Sequence, residues 1–157
     1  VEVNFIERNE FMIVGIETYT KNDFETINSC WSTLYLRMNE INNKLDTNIT
    51  YGYQDYSKDF DIVNLAFYYT AAIEVSSLDN IPKGMVGKTI PPSKYAVFTH
   101  EGSKEDISKT IRNIYSMWFY EFEYELNDNV CGDFEYYPKG YKNTEDNGKI
   151  DIYIPIK

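Results

Sequence analysis

The sequence predicts an α+β fold in which two strand-helix-strand-strand modules, related by a pseudo-twofold axis, build an antiparallel sheet with two long helices on one face. Three observations predict it. Two stripes of apolar residues at helical spacing each follow one short apolar strand candidate and precede two more. The hydropathy of the two stretches keeps step at an offset of 84 residues, Phe11 meeting Tyr95. Between them lies SSLDNIPKGMVGKTIPPS, with the proline and glycine content of a connector.

The elements follow in order. FMIVGIETY, from Phe11, is the first strand candidate. Phe24, Ile27, Trp31, Leu34, Met38, Ile41 and Leu45 then mark one helix face, with Asn22 and Glu25 as the capping box that opens it. ITYGYQDY, from Ile49, and IVNLAFYYTAAIEV, from Ile62, supply two strands. The connector, about 77–92, is expected to hold neither strand nor helix because of Pro82, Pro91 and Pro92. KYAVFTHEG, from Lys94, opens the second copy. Its helix stripe is Ile107, Ile111, Ile114, Tyr115, Trp118, Phe119 and Phe122, starting near Ser103 and Asp106 and stopping near Asn127–Asn129. DFEYYP and KIDIYIPI close the chain, joined through a loop that includes Asn147-Gly148. The repeats span about 5–76 and 93–157. Each has too little core to stand alone, so 1–157 reads as a single domain.

Composition excludes several functions. The net charge of −10 repels a phosphate backbone, so this chain alone is expected to bind no nucleic acid. A lone histidine, His100, at a strand end, and two separated cysteines give no His/Cys metal site and no triad. GMVGKT, from Gly84, is too short for a phosphate-binding loop and lies among prolines. No apolar run reaches the ~18 residues of a membrane span, and the start carries no signal pattern. With Cys30 and Cys131 lacking CxxC spacing, a reduced, cytoplasmic protein is expected.

The stretch CGDFEYYPKG sets one carboxylate in an aromatic run. Strand alternation puts Glu135 and Tyr137 on one face and Phe134 and Tyr136 on the other. The odd positions from Leu65 to Val75, and Ile150, Ile152 and Ile154, form the apolar sets expected to face the helices. The 84-residue offset pairs Glu135 with Tyr51 and Tyr137 with Tyr53. Parity alone leaves two orientations open, Glu135 toward the cleft between the helices or toward solvent.

FMIVGIETYT, TYGYQDY, IPKGM, IPPSKYAVFTHEG, IYSMWFYEFEYEL, DFEYYP and IDIYIPI, in this order, resemble the GyrI-like effector-binding family. Its members include the ligand-sensing domains of AraC-type and MerR-type multidrug-responsive regulators. The resemblance covers essentially the whole chain. It is carried best by YAVFTHEG, the tryptophan of the second helix, the FExY segment and the terminal IYIPI. It implies a pocket in the groove between the helices, where a carboxylate of the FExY segment meets the charge of a lipophilic drug. Glu135 falls on that position. Trp31, Phe67, Tyr69, Trp118 and Tyr137 are inferred as its rings, with Tyr51 as the offset partner of Glu135, though each ring also suits a plain core role.

The expected function is therefore binding of a lipophilic cationic small molecule, by an effector-sensing domain of a transcription regulator or a stand-alone drug-binding protein. A delocalised cation sheds water cheaply and gains from a desolvated carboxylate and aromatic faces. An inorganic ion would need several oxygen ligands. Two other classes stay open: a hydrolase of strained, cyclopropanoid-type natural products using the pocket glutamate, and an inhibitor acting by protein contact. No cofactor, metal or membrane is expected. A DNA-binding domain outside this chain is compatible with the reading, and the oligomeric state is not set by the sequence.

Overall fold

Alternating apolar residues and three-to-four spacings translate into eight strands and two helices among the residues described by the computed structural model, which are 3–118, 121, 123–138 and 148–157. The strands are β1 Val3–Arg8, β2 Phe11–Thr20, β3 Thr50–Asp55, β4 Phe67–Val75, β5 Val86–Ile90, β6 Ser93–Glu101, β7 Gly132–Tyr137 and β8 Lys149–Ile156. The helices are α1 Phe24–Arg37 and α2 Ile107–Asn113. All strands join one antiparallel sheet in the order β1-β6-β8-β7-β3-β4-β2-β5. The fold is α+β, with both helices contributing to the core on one face: Cys30, Trp31 and Leu34 from α1 and Ile107 from α2 pack with Tyr69, Ala71, Ile73, Ile150, Ile152 and Ile154.

Read inward from either edge, the sheet shows the same kinds of element, and β7 and β3 meet at the centre. Two strands were not expected. β1 pairs with β6, and β5 with β2, so each edge strand joins the half opposite its sequence neighbour. The connector does hold a strand: Val86–Ile90 lies between Pro82 and Pro91 and itself contains no proline. An edge position also leaves one side free of ladder bonds, which suits so short a segment.

These crossings bend the sheet. In a flat sheet β1 and β2 would stand six strand spacings apart, roughly 29 Å. The link Asn9-Glu10 between Arg8 and Phe11 spans at most about 11 Å. The sheet therefore curls onto its helix-free face, and Pro91-Pro92 makes the matching crossing from β5 to β6. Within the curl Phe11, Tyr51, Tyr53, Tyr95, Phe134 and Tyr153 pack on one another and are buried without any helix above them. The guanidinium of Arg8 lies 3.7 Å from the Phe11 ring centre and donates to Tyr51 Oη at 3.0 Å and Glu74 Oε1 at 2.9 Å, tying β1 to the other half.

Local differences from the sequence reading have local causes. Asp23, not Asn22, caps α1 by accepting from the Thr26 amide at 3.0 Å, while Asn22 takes a left-handed φ of 67°. The strand expected from Ile62 begins at Phe67, because the Asp61 carboxylate accepts from the amides of Val63 and Asn64 and holds a turn there. The second helix widens out of α geometry early. Ile114–Trp118 forms a π-helix, and Glu123 has a φ of 54° before the chain reaches the turn at Asn127. Phe119, Phe122 and most of the loop before β8, including Asn147, lie outside the described residues, as does the side chain of Trp118.

Candidate functional site

β7 brings the site together. Its alternation puts Asp133, Glu135 and Tyr137 on the helix-bearing face, and pairing with β3 sets Gly52 directly opposite Glu135. Gly52 matters for its missing side chain: a methyl there would land on Tyr69 Oη and Glu135 Oε1. The vacancy lets Tyr69, on β4, reach across the sheet to the carboxylate.

Glu135 is 4% exposed. Its Oε1 accepts from Tyr137 Oη at 2.7 Å and Tyr69 Oη at 2.8 Å, and its Oε2 accepts from Gln54 Nε2. Tyr69 Oη accepts in turn from Trp31 Nε1 at 3.0 Å, so α1 is tied to the carboxylate through one hydroxyl. Burial raises the Glu135 carboxyl above its usual range, while the donors from Tyr137 and Tyr69, the charge of Lys104 and the Gln54 amide all pull it back. Burial outweighs them, so the carboxyl stays above its ordinary range even with three donors turned toward it.

A cleft with a cavity volume of about 90 Å³, open at its mouth, lies over this carboxylate between the start of α1 and the start of α2. Glu135 and Gln54 line it on the sheet side, Ile27 and Trp31 on α1, Ile107 and Ile111 on α2. The Tyr137 and Trp31 rings meet edge to face at 4.9 Å in its wall. Gln54 Oε1 is buried with no hydrogen-bond partner among the described residues, an acceptor left over in the lining. No group of three or more metal-binding side chains occurs among the described residues.

The described side chains among the residues singled out from sequence fall into four positions. Glu135, Tyr137 and Trp31 line the cleft together. Tyr69 lies beneath it, 0% exposed, and acts on Glu135 rather than on the cavity. Phe67 packs against Tyr56, at 5.5 Å between ring centres, away from the cleft lining. Tyr51 faces the other way: it pairs with Tyr136 and packs on Phe11 and Phe134 in the curled aromatic layer. The offset of 84 makes Tyr51 the repeat counterpart of Glu135 and so would put it on the same face. The observed register places Gly52 there instead. Trp118 ends the π-helix, with its side chain outside the described set.

Sequence reasoning missed Gln54 and Lys104. Gln54 shares the face of Gly52 by strand parity, a signal available once the register is known. Lys104 begins a 3₁₀ turn, Lys104–Asp106, between β6 and α2. His100 fixes that turn: its Nδ1 lies 2.7 Å from Thr110 Oγ1 and its Nε2 lies 2.8 Å from the Ser103 carbonyl oxygen. Gly102, at a φ of 124°, supplies the backbone conformation the turn requires.

Comparison with known proteins gives a consistent family. The sequence profile described as integron-associated effector binding protein (Cass2) matches residues 5–156. The transcriptional regulator BrlR of Pseudomonas aeruginosa is 34% identical over 157 residues, covering 99% of this chain and 56% of its own. The chain thus spans about half the length of the curated relative it matches. Among solved structures, SAV2435 bound to tetraphenylphosphonium superposes with a TM-score of 0.76 at 18% identity, covering 100% of this chain and 94% of that one. The EcmrR C-terminal domain gives 0.74 at 14%, with 99% and 97% covered. The integron cassette protein from the mobile metagenome of Vibrio cholerae gives 0.66 at 22%, with 99% and 95% covered. At these identities the structural likeness is one of fold.

Proposed function

The chain belongs to the GyrI-like effector-binding family, in its integron-associated group, and from that premise we propose that it binds a lipophilic organic cation in the cleft between α1 and α2, with Glu135 as the counter-charge. The observation that carries the reading is a buried carboxylate, held by three donors, that lines a cleft walled by Trp31 and Tyr137. The three donors satisfy the oxygens of Glu135, and a bound cation would favour its charged form against the burial that raises it. A cation in the cleft then adds charge to charge in a poorly hydrated site and rests on ring faces, each worth about 0.5–2 kcal/mol. A small hydrated ion gains little from the same wall, because it would give up water for few oxygens. SAV2435, bound to tetraphenylphosphonium, is a fold relative that supports this choice of ligand class. The match to BrlR supports a role as the effector-sensing part of a transcription regulator.

Glu135→Gln keeps the shape and removes the charge. Titration calorimetry with tetraphenylphosphonium is expected to show a loss of about 30- to 1,000-fold, the equivalent of roughly 2–4 kcal/mol. Equal affinities for wild type and variant would remove Glu135 from the role.

A further inference from the structure

The cleft already contains a cation. Lys104 Nζ lies 3.9 Å from the Trp31 ring centre and 4.8 Å from that of Tyr137, in the cavity that Glu135 lines. No ion pair within 4.0 Å and no hydrogen bond to a described residue fixes the ammonium. It is held by aromatic faces and the nearby charge of Glu135, the same forces that would hold an organic cation. We infer that Lys104 is a tethered occupant of the cation site, and that an effector must displace its ammonium to reach Trp31, Tyr137 and Glu135. The inference rests on the cation-binding reading and adds a specificity-determining residue to it.

Three features support the role. The position is built rather than accidental, because His100 and Ser103 pin the turn that carries Lys104. Its charge is held reluctantly: burial pushes the ammonium down to about 8, with Glu135 opposing. The long stem has room to leave, since Lys104 also borders a second, open depression with Phe24, Asn28, Ser103 and Glu105. A weakly held resident raises the threshold for ligands. A primary ammonium resting on two rings competes poorly with a large delocalised cation but well with small polar amines, so the lysine selects for bulk and delocalisation.

The test uses tetraphenylphosphonium with wild type, Lys104→Met and Lys104→Arg, each first shown to melt cooperatively. The methionine variant keeps the stem and lacks the charge, and is expected to bind about 10-fold tighter, the factor for a cage vacant one-tenth of the time. The arginine variant is expected to stay near wild type. On the wild-type protein, saturating ligand is expected to raise the acylation rate of Lys104 measured by mass spectrometry, because the displaced amine enters solvent. If the cation binds wild type but Lys104→Met binds no tighter, or if Lys104 acylation ignores the ligand, the resident-cation inference is overturned and the cation-binding reading survives. If neither wild type nor Lys104→Met binds the cation, both are overturned. Binding by the methionine variant alone supports the inference.

Discussion

Asp133 lies two residues before Glu135, so the pleat aims both carboxyls at the helix-bearing face. Its surroundings differ: it is 0% exposed, accepts from Tyr115 Oη at 2.6 Å and from Tyr56 Oη at 3.2 and 3.3 Å, and lies outside the cleft lining. Burial pushes its carboxyl up to about 7 against the hydrogen bonds of the two tyrosines, and the charge of Glu135 adds to the rise. An unfolded Asp releases its proton near ~3.9. Between ~4 and 7 the native state therefore binds more protons than the unfolded state, and this group makes stability fall as pH rises. Lys104 acts in the opposite sense above about 8, where the unfolded chain holds the proton that the native lysine has lost. Asp133→Asn preserves an oxygen for both hydroxyls and removes the titration. Melting at pH 5, 6.5 and 8 is expected to show a flatter profile for the variant and a higher melting temperature than wild type at pH 8. An unchanged slope would assign the pH dependence to another group.

At the scale of elements, the β3–β7 pair decides what the site is. A one-residue slip of β3 would send Gln54 to the helix-free face and put Tyr51 or Tyr53 beneath the helices. Gly52 holds the register chemically as well, since Tyr69 and Glu135 meet in the space above it. Gly52→Ala is expected to destabilise by about 1–3 kcal/mol, as overpacking of a filled core does. It is also expected to weaken cation binding by moving the carboxylate, and paired denaturant melts and calorimetry read the two effects separately. Strand parity in β4 and β8 was legible: Phe67, Tyr69, Ala71, Ile73 and Val75, with Ile150, Ile152 and Ile154, all join the core under the helices, whereas Leu65, expected on the same face, is exposed in the turn before β4. β1 and β5 were not legible, because VNFIER and VGKTI are short edge strands whose partners lie in the other half of the chain.

The whole molecule carries a formal charge of −10, and none of its described helices is long and apolar enough to cross a membrane. So acidic a surface gains no counterion release from DNA. A random duplex is expected to migrate unretarded with this chain at micromolar concentration and physiological salt, and a shifted band would refute it. The same field draws organic cations toward the surface before the cleft selects among them, so association with tetraphenylphosphonium is expected to slow as salt is raised. The curl of the sheet sets the layout at this scale. One face closes on itself with Arg8 across it, which leaves the helices and their cleft on the other.

The sequence by itself determined the class of fold, the face of most core residues and the candidate carboxylate. Helical and strand periodicities are local properties, and Glu135 sits in a recognisable segment. Tertiary structure alone decided that Tyr51 turns away, that Gln54 holds Glu135 and that Lys104 enters the cleft. Register between β3 and β7 is a contact between residues some eighty positions apart, and hydropathy fixes it only to within the strand period. Lys104 reads as an ordinary loop lysine until Trp31 from α1 and Tyr137 from β7 close around it, because burial belongs to the assembled elements and not to the residue.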